Sequence, residues 1–147
     1  MLASRLFQIA AIVAPVSADI VSATFDTIYD DPSRSLSEVA CWRKPTGFMP
    51  NLDWKLQKDA VGFIGVDSIT RLNSSKCFSC WTLEYNDKSI SLLALDGADS
   101  GIVMSLNALQ FLTDGRAHEL GRVDIYATEV DTSKCGYRKK LHAYDFD

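Results

Sequence analysis

The chain has 147 residues, 47% of them hydrophobic and 23% charged, with only 8 Gly and 4 Pro. This size and composition predict one domain with one compact core, and they exclude a disordered or collagen-like chain. The net charge of −4 comes from charges of both signs along the sequence. We therefore expect no nucleic-acid partner.

The N-terminal residues have the pattern of a secretory signal peptide. Arg5 precedes an apolar stretch from Leu6 to Val16, and Ala18 ends a short run of small residues. We predict a signal peptide over 1–18, a domain over 19–136 and a frayed tail over 137–147. The apolar stretch is shorter than the ~20 residues that span a bilayer. The sequence thus predicts a secreted, extracellular protein with no membrane span.

Four cysteines lie in the predicted mature chain, at Cys41, Cys77, Cys80 and Cys135. An even number in a small exported domain indicates two disulfides, for which three connectivities are possible. The Cys77–Cys80 spacing is also found in redox motifs, but the residues that follow are typical of a strand rather than a helix. A zinc site would need further Cys or His ligands at suitable spacing. We expect no metal and no cofactor.

The predicted elements are mostly strands. In chain order they are a strand over Thr24–Tyr29, a hairpin formed by Trp81–Tyr85 and Ser89–Asp96, and a last strand over Gly121–Val130. Between the hairpin and the last strand, Ser105 can cap a short helix that ends near Gly115. The chain from 45 to 73 has no clear period. The fold class predicted is mainly β with one or two short helices.

A search for catalytic motifs finds no phosphate-binding glycine loop, no GxSxG and no HExxH pattern. Glycoside cleavage remains, and it requires two carboxylates. Asp96 is the best candidate because it follows the apolar run Leu92–Leu95 and precedes Gly97 at a predicted strand end. Asp26 is a possible partner, whereas Asp99 is predicted to be a solvated loop residue. The alternative for Asp96 is a structural role, bonding backbone amides at a turn.

Aromatic residues offer a second kind of site, because sugar rings stack on flat apolar faces. Among 15 aromatics, Trp42 and Trp54 are open candidates, while Trp81 alternates with Leu83 and is predicted to be a core residue. Asn73 begins an Asn-Ser-Ser sequon and is a candidate for glycosylation after export.

Short motifs along the chain match one known family. They are Thr24–Asp30, Val39–Cys41, Cys77–Trp81, Ala94–Asp96, Asn107–Ala108, Leu112–Gly115, Leu120–Val123 and Cys135–Gly136. Together they resemble the cerato-platanin family of small fungal secreted proteins, over nearly all of residues 22 to 136.

The resemblance implies a six-stranded double-ψ β-barrel with disulfides Cys41–Cys77 and Cys80–Cys135. It implies a non-enzymatic protein that binds chitin or N-acetylglucosamine oligomers in a shallow groove. It also implies expansin-like wall loosening, self-association, and elicitation of plant defence through the host surface or a receptor. The location implied is extracellular or in a fungal cell wall. The residues expected at the groove are Asp96 as polar anchor, with Phe25, Asp26, Leu83 and Val103.

Two departures from the family pattern affect this groove. Val103 stands where the family usually has Asn, and Phe25 stands where it has Tyr. Each lost hydrogen-bonding group is expected to weaken sugar binding by about 1 kcal/mol. Two alternatives therefore stay open. One is a surface-active, self-assembling protein that uses Ile102–Met104 and exposed aromatics, and the other is a weak glycosidase.

Overall fold

The computed structural model describes residues 11–14, 16–42, 54–60, 62–70 and 74–136. Six strands form a closed barrel, and two short α-helices lie against it. The strands are β1 (Asp19–Phe25), β2 (Phe63–Val66), β3 (Cys80–Tyr85), β4 (Lys88–Gly97), β5 (Ile102–Met104) and β6 (Arg122–Val130). The helices are α1 (Leu106–Leu112) and α2 (Ala117–Leu120).

The strand order around the barrel is β1-β5-β2-β4-β3-β6, and β6 closes it by pairing antiparallel with β1. The pairs β1/β5 and β2/β4 are parallel, while the other four pairs are antiparallel. The prediction of a six-stranded barrel with short helices is confirmed. Closure gives every strand two neighbours, although β4 pairs with β2 only from Leu93 onward.

The first strand differs from its prediction. β1 ends at Phe25, and Thr27–Asp30 forms a 3₁₀ helix instead of continuing the strand. The physical reason is Asp26, whose carboxylate accepts a 2.9 Å hydrogen bond from the Ile28 amide and so competes with strand pairing. β1 begins at Asp19, the first residue after the predicted cleavage site.

The hairpin, the helix and the last strand agree with the sequence. Ser105 caps α1 by accepting a 3.0 Å hydrogen bond from the Ala108 amide, and Gly115 has the positive φ of 82° expected after the helix. Two strands were not predicted. β2 and β5 have only four and three residues, too few to show a period.

The core has two parts that lie on opposite sides of β4. Leu92 and Ala94 belong to the cluster inside the barrel. Leu93 and Leu95 belong to a second cluster with Leu36, outside the barrel wall. Because successive side chains of a strand point to opposite faces, β4 is covered on both sides. This double burial explains its continuous run of apolar residues.

Two disulfides connect distant parts of the chain. Cys41 pairs with Cys77 and Cys80 with Cys135, with Cα–Cα distances of 5.6 and 5.9 Å. The predicted pairing is confirmed. The bridges span 36 and 55 residues, and in the chain-entropy model each stabilises the fold by about 4 kcal/mol.

Some sequence predictions fall outside the described residues or need correction. Asn73, residues 1–10 and the tail over 137–147 lie outside them. The expected apolar surface at Ile102–Met104 is wrong, because Ile102 is 3% and Met104 0% exposed. These two side chains pack in the barrel core because alternate residues of β5 point inward, while Val103 between them faces the groove.

Candidate functional site

An open groove of about 530 Å³ crosses the barrel surface beside β5. Its lining residues come from four segments, and they are Asp26, Tyr29, Asp67, Ile69, Thr70, Gly97, Ala98, Asp99 and Val103. β2 and β4 run parallel, so the loops that follow them leave the same end of the barrel. β5 lies between β1 and β2 and presents Val103 to the groove.

Asp96 lies next to this groove, where it contacts the lining residues Tyr29 and Gly97, and it accepts three hydrogen bonds. Its Oδ2 accepts a bond of 3.0 Å from the Tyr29 hydroxyl. Its Oδ1 accepts bonds of 2.9 Å from the amides of Ala40 and Gly97. The carboxylate thus joins the end of β4, the 3₁₀ helix after β1 and the residue next to the Cys41 disulfide. Its first role in this structure is to position other groups.

Tyr29 is held in place on several sides. Its ring centroid lies 5.0 Å from that of Phe63, and the Arg34 guanidinium carbon lies 5.7 Å from the ring centre. Burial, and then the neighbouring Asp96 charge and its hydrogen bond, hold the pKa of Tyr29 well above its usual value. The phenol therefore stays protonated and donates to Asp96.

The close approach of Tyr29 to β2 requires a glycine at position 65. A Cβ added at Gly65 would lie 2.8 Å from both the Tyr29 hydroxyl oxygen and the Gly97 carbonyl oxygen. Gly65 pairs with Asp96 at a register shift between β2 and β4. This glycine therefore lets the phenol approach the two strands closely.

The 3₁₀ helix and its cap bring two residues to the groove, and Asp30 anchors this helix. Asp26 caps the helix with an extended backbone, and Tyr29 lies three residues later within it. The Asp30 carboxylate accepts hydrogen bonds of 2.7 and 3.1 Å from the amides of Leu106 and Asn107. Asp30 therefore satisfies two free amides at the start of α1 and ties the groove helix to it.

The polar lining of the groove is acidic. Asp26, Asp67 and Asp99 all line it, and no described lysine or arginine does. Asp67 also fixes its loop, since its Oδ2 accepts a 2.8 Å hydrogen bond from the Gly101 amide. Asp99 is exposed in the loop after β4. The apolar part of the lining comes from Ile69, Ala98 and Val103.

The structure brings only part of the expected site together. Asp26 and Val103 line the groove, and Asp96 lies next to it. Phe25 is half-buried against the core, with its ring centroid 5.3 Å from that of His118. The expectation for Leu83 needs correction, because it is 0% exposed in the barrel core. Its alternation with exposed Glu84 turns it inward and leaves it no surface for a ligand.

Tyr29 and the loop residues Asp67, Ile69, Thr70 and Ala98 were missed. Tyr29 had been assigned to a strand, in which it would alternate with Asp26 instead of lining the same groove. Asp26 itself indicates a helix start, because aspartate is a preferred N-cap residue whose side chain accepts a hydrogen bond from a free amide in the first turn. Here that amide belongs to Ile28. The loop residues follow strands whose pairing the sequence did not predict.

The described residues contain no group of three or more His, Cys, Asp or Glu side chains that could hold a metal ion. In the part of the chain that the structure describes, no helix is long and apolar enough to cross a membrane.

Comparison with known proteins gives a consistent result. The family model described as "Cerato-platanin" matches residues 21–137. A heat-stable 19 kDa antigen of Coccidioides immitis is 35% identical over a 143-position match that covers 88% of this chain and 97% of the antigen.

Solved structures show the same fold. The crystal structure of cerato-platanin 3 from M. perniciosa has a TM-score of 0.74 and 31% identity, covering 81% of this chain and all of that one. The solution structure of the fungal elicitor Cerato-Platanin has a TM-score of 0.66 and 26% identity, covering 78% of this chain and 96% of the other. The barrel, the two disulfides and the match over residues 21–137 place this chain in the cerato-platanin family.

Proposed function

We propose that this protein is a secreted, non-catalytic protein that binds cell-wall polysaccharide, with chitin or N-acetylglucosamine oligomers as its ligands. The single observation that carries the proposal is the open groove beside β5, which combines apolar and polar lining residues. Carbohydrates have the same combination, since their rings have apolar faces and their edges carry hydroxyls. An open shape suits a polymer that extends beyond the site at both ends.

Each part of the groove has a role in this proposal. Ala98 and Val103, which are partly exposed, supply apolar contact, while Asp26, Asp67 and Asp99 accept hydrogen bonds from sugar hydroxyls. Tyr29 lends its ring to the wall, and Asp96 holds the phenol in position through its 3.0 Å hydrogen bond. Asp96 thus supports the groove through Tyr29, and the absence of a polar side chain at Val103 keeps the affinity modest.

A groove-filling variant tests the proposal. Ala98→Tyr places a large side chain in the groove, and Ser89→Tyr is its control, because Ser89 is exposed near the opposite end of β4. We expect Ala98→Tyr to lower retention on insoluble chitin at least tenfold and Ser89→Tyr to leave it unchanged. Equal retention of both variants would overturn the groove as the binding site. Release of reducing sugar from chitin by the wild type would instead support the glycosidase alternative.

The proposal extends to wall loosening and to recognition by a plant host. It is supported by membership of the cerato-platanin family and by the likeness to the solution structure of the fungal elicitor Cerato-Platanin. Export is supported by the exposed Ile12, Val13 and Val16, which lie before β1 and outside the core.

Purified protein should disperse polysaccharide fibres without cleaving them and trigger defence responses in leaf tissue. A lack of both activities in folded protein would limit its role to sugar binding.

A second candidate function is self-assembly at surfaces. Ile20 on β1 and Tyr126 on β6 are directly paired across the strands and are 65% and 53% exposed. Two adjacent exposed apolar side chains favour association at an interface with air or another apolar phase. The Ile20→Ser/Tyr126→Ser variant should lose surface activity while its chitin binding persists. Unchanged surface activity would exclude this pair as the cause.

A further inference from the structure

The charge of the groove carries an inference about the class of sugar it selects. We propose that the groove prefers oligosaccharides with protonated amines, such as glucosamine oligomers, over their N-acetylated and anionic counterparts. This inference rests on the proposed function, because it concerns the same groove. It goes further by naming the charge of the preferred ligand.

The first step is the distribution of charge around the groove. Asp26, Asp67 and Asp99 line it from three separate segments of the chain. None of the ion pairs among the described residues includes any of these three aspartates. Their charges are therefore not neutralised by a partner within that part of the chain.

The second step concerns Arg34, a cation that contacts the groove residue Tyr29. Arg34 lies over the outer part of the Tyr29 ring, 5.7 Å from its centre. Its Nε donates a 3.0 Å hydrogen bond to Oε2 of Glu38, and its side chain is only 11% exposed. Because Glu38 compensates its charge, Arg34 leaves the field of the three aspartates largely unopposed.

The third step is the consequence for a ligand. A cleft lined by charges of one sign concentrates ligands of the opposite sign. A free amine on each sugar ring brings a positive charge and hydrogen-bond donors, and carboxylate acceptors suit both. An N-acetyl group removes that charge, while a uronic acid adds charge of the same sign as the groove. The expected order of affinity is therefore amine, then N-acetyl, then uronic acid.

The test uses three hexasaccharides with the full chain at mildly acidic pH, where the sugar amines carry a proton. The probes are hexamers of glucosamine, N-acetylglucosamine and galacturonic acid, titrated by calorimetry or NMR. At low salt we expect the glucosamine hexamer to bind about fivefold or more tightly than the acetylated one. At about 1 M salt, where the screening length is about 3 Å, we expect this advantage to fall below twofold.

A charge variant and its control sharpen the result. Asp99→Asn removes one groove charge, and Asp87→Asn removes one in the β3–β4 turn, where the side chain is also exposed. We expect the affinity ratio between the two hexamers to fall at least twofold in Asp99→Asn and to stay constant in Asp87→Asn.

The outcomes separate this inference from the proposed function. Equal or tighter binding of the acetylated hexamer overturns the charge preference and leaves the chitin groove intact. Binding of the glucosamine hexamer alone supports the preference and overturns N-acetylglucosamine oligomers as the ligand. If neither hexamer binds, both proposals are wrong.

Discussion

The hydroxyl of Tyr29 donates a 3.0 Å hydrogen bond to Oδ2 of Asp96, joining two residues that are 67 positions apart in the chain. The other oxygen of this carboxylate accepts bonds from the amides of Ala40 and Gly97. The sequence predicts Asp96 as the polar anchor of the groove. In the structure it holds Tyr29 and two backbone amides in place.

This arrangement predicts an order of stability among three variants. Asp96→Ala removes all three hydrogen bonds and should lower the free energy of unfolding by about 3 kcal/mol. Tyr29→Phe removes one bond to a half-buried carboxylate and should cost about 1 to 2 kcal/mol. Asp96→Asn should cost least, since its amide oxygen can still accept from both backbone amides. Denaturant titration measures all three, and an Asp96→Ala variant as stable as the wild type would contradict the positioning role.

The protonation of Tyr29 gives a prediction for alkaline pH. Its pKa is held well above the usual tyrosine value of 10.0, chiefly by burial. Near pH 10 to 11 the phenol should therefore stay protonated in the folded state and ionise in the unfolded state. The free energy of unfolding should fall as pH rises through this range, and it should fall less steeply in Tyr29→Phe.

Tyrosinate absorbance checks the same point in the native protein. If Tyr29 does not ionise near pH 10 to 11, wild type and Tyr29→Phe should show the same change in absorbance over that range. A change smaller in Tyr29→Phe by one tyrosine would mean that Tyr29 ionises normally in the fold.

Asp30 predicts a coupling between the groove and α1. Asp30→Ala leaves the Leu106 and Asn107 amides without their acceptor and should destabilise the protein by about 1 to 2 kcal/mol. Asp31→Ala is the matched control, because the Asp31 carboxylate bonds to Ser33 and Arg34 within its own turn, and its loss should be smaller. Amide exchange should increase at both α1 and Tyr29 in Asp30→Ala. Exchange that increases at α1 alone would disprove the coupling to the groove.

The two disulfides should contribute comparably to stability. Replacing Cys41 and Cys77 together by Ala, or Cys80 and Cys135 together, should each lower the free energy of unfolding by about 4 kcal/mol in the chain-entropy model. The loops they close are of similar length, 36 and 55 residues. Denaturant titration of the two double variants gives the comparison. A loss below about 1 kcal/mol for either would show that its unfolded chain is already restricted.

Much of the barrel could be predicted from the sequence because β3, β4, β6 and α1 each have a clear local signal. Alternating residues mark β6, and Ser105 with Gly115 marks the ends of α1. β2 and β5 could not be predicted, since their pairing depends on contacts with strands distant in the chain.

The candidate site was predicted less well for the same reason. Asp96 was recognised by its place at a strand end, but its partners Tyr29 and Ala40 lie 67 and 56 positions away. Leu83 was expected at the groove from the family resemblance, although its alternation with exposed Glu84 places it in the barrel core. The loops after β2 and β4 meet only because those strands are parallel neighbours.

NMR mapping of sugar binding tests the central claim most directly. Titration of the labelled protein with an N-acetylglucosamine hexamer should shift the amide signals of Gly97, Ala98 and Val103, which line the groove. The signals of Ile20 and Tyr126, on the exposed β1–β6 pair, should stay in place. Shifts confined to that pair, or no shifts at saturating sugar, would contradict the groove as the polysaccharide-binding site.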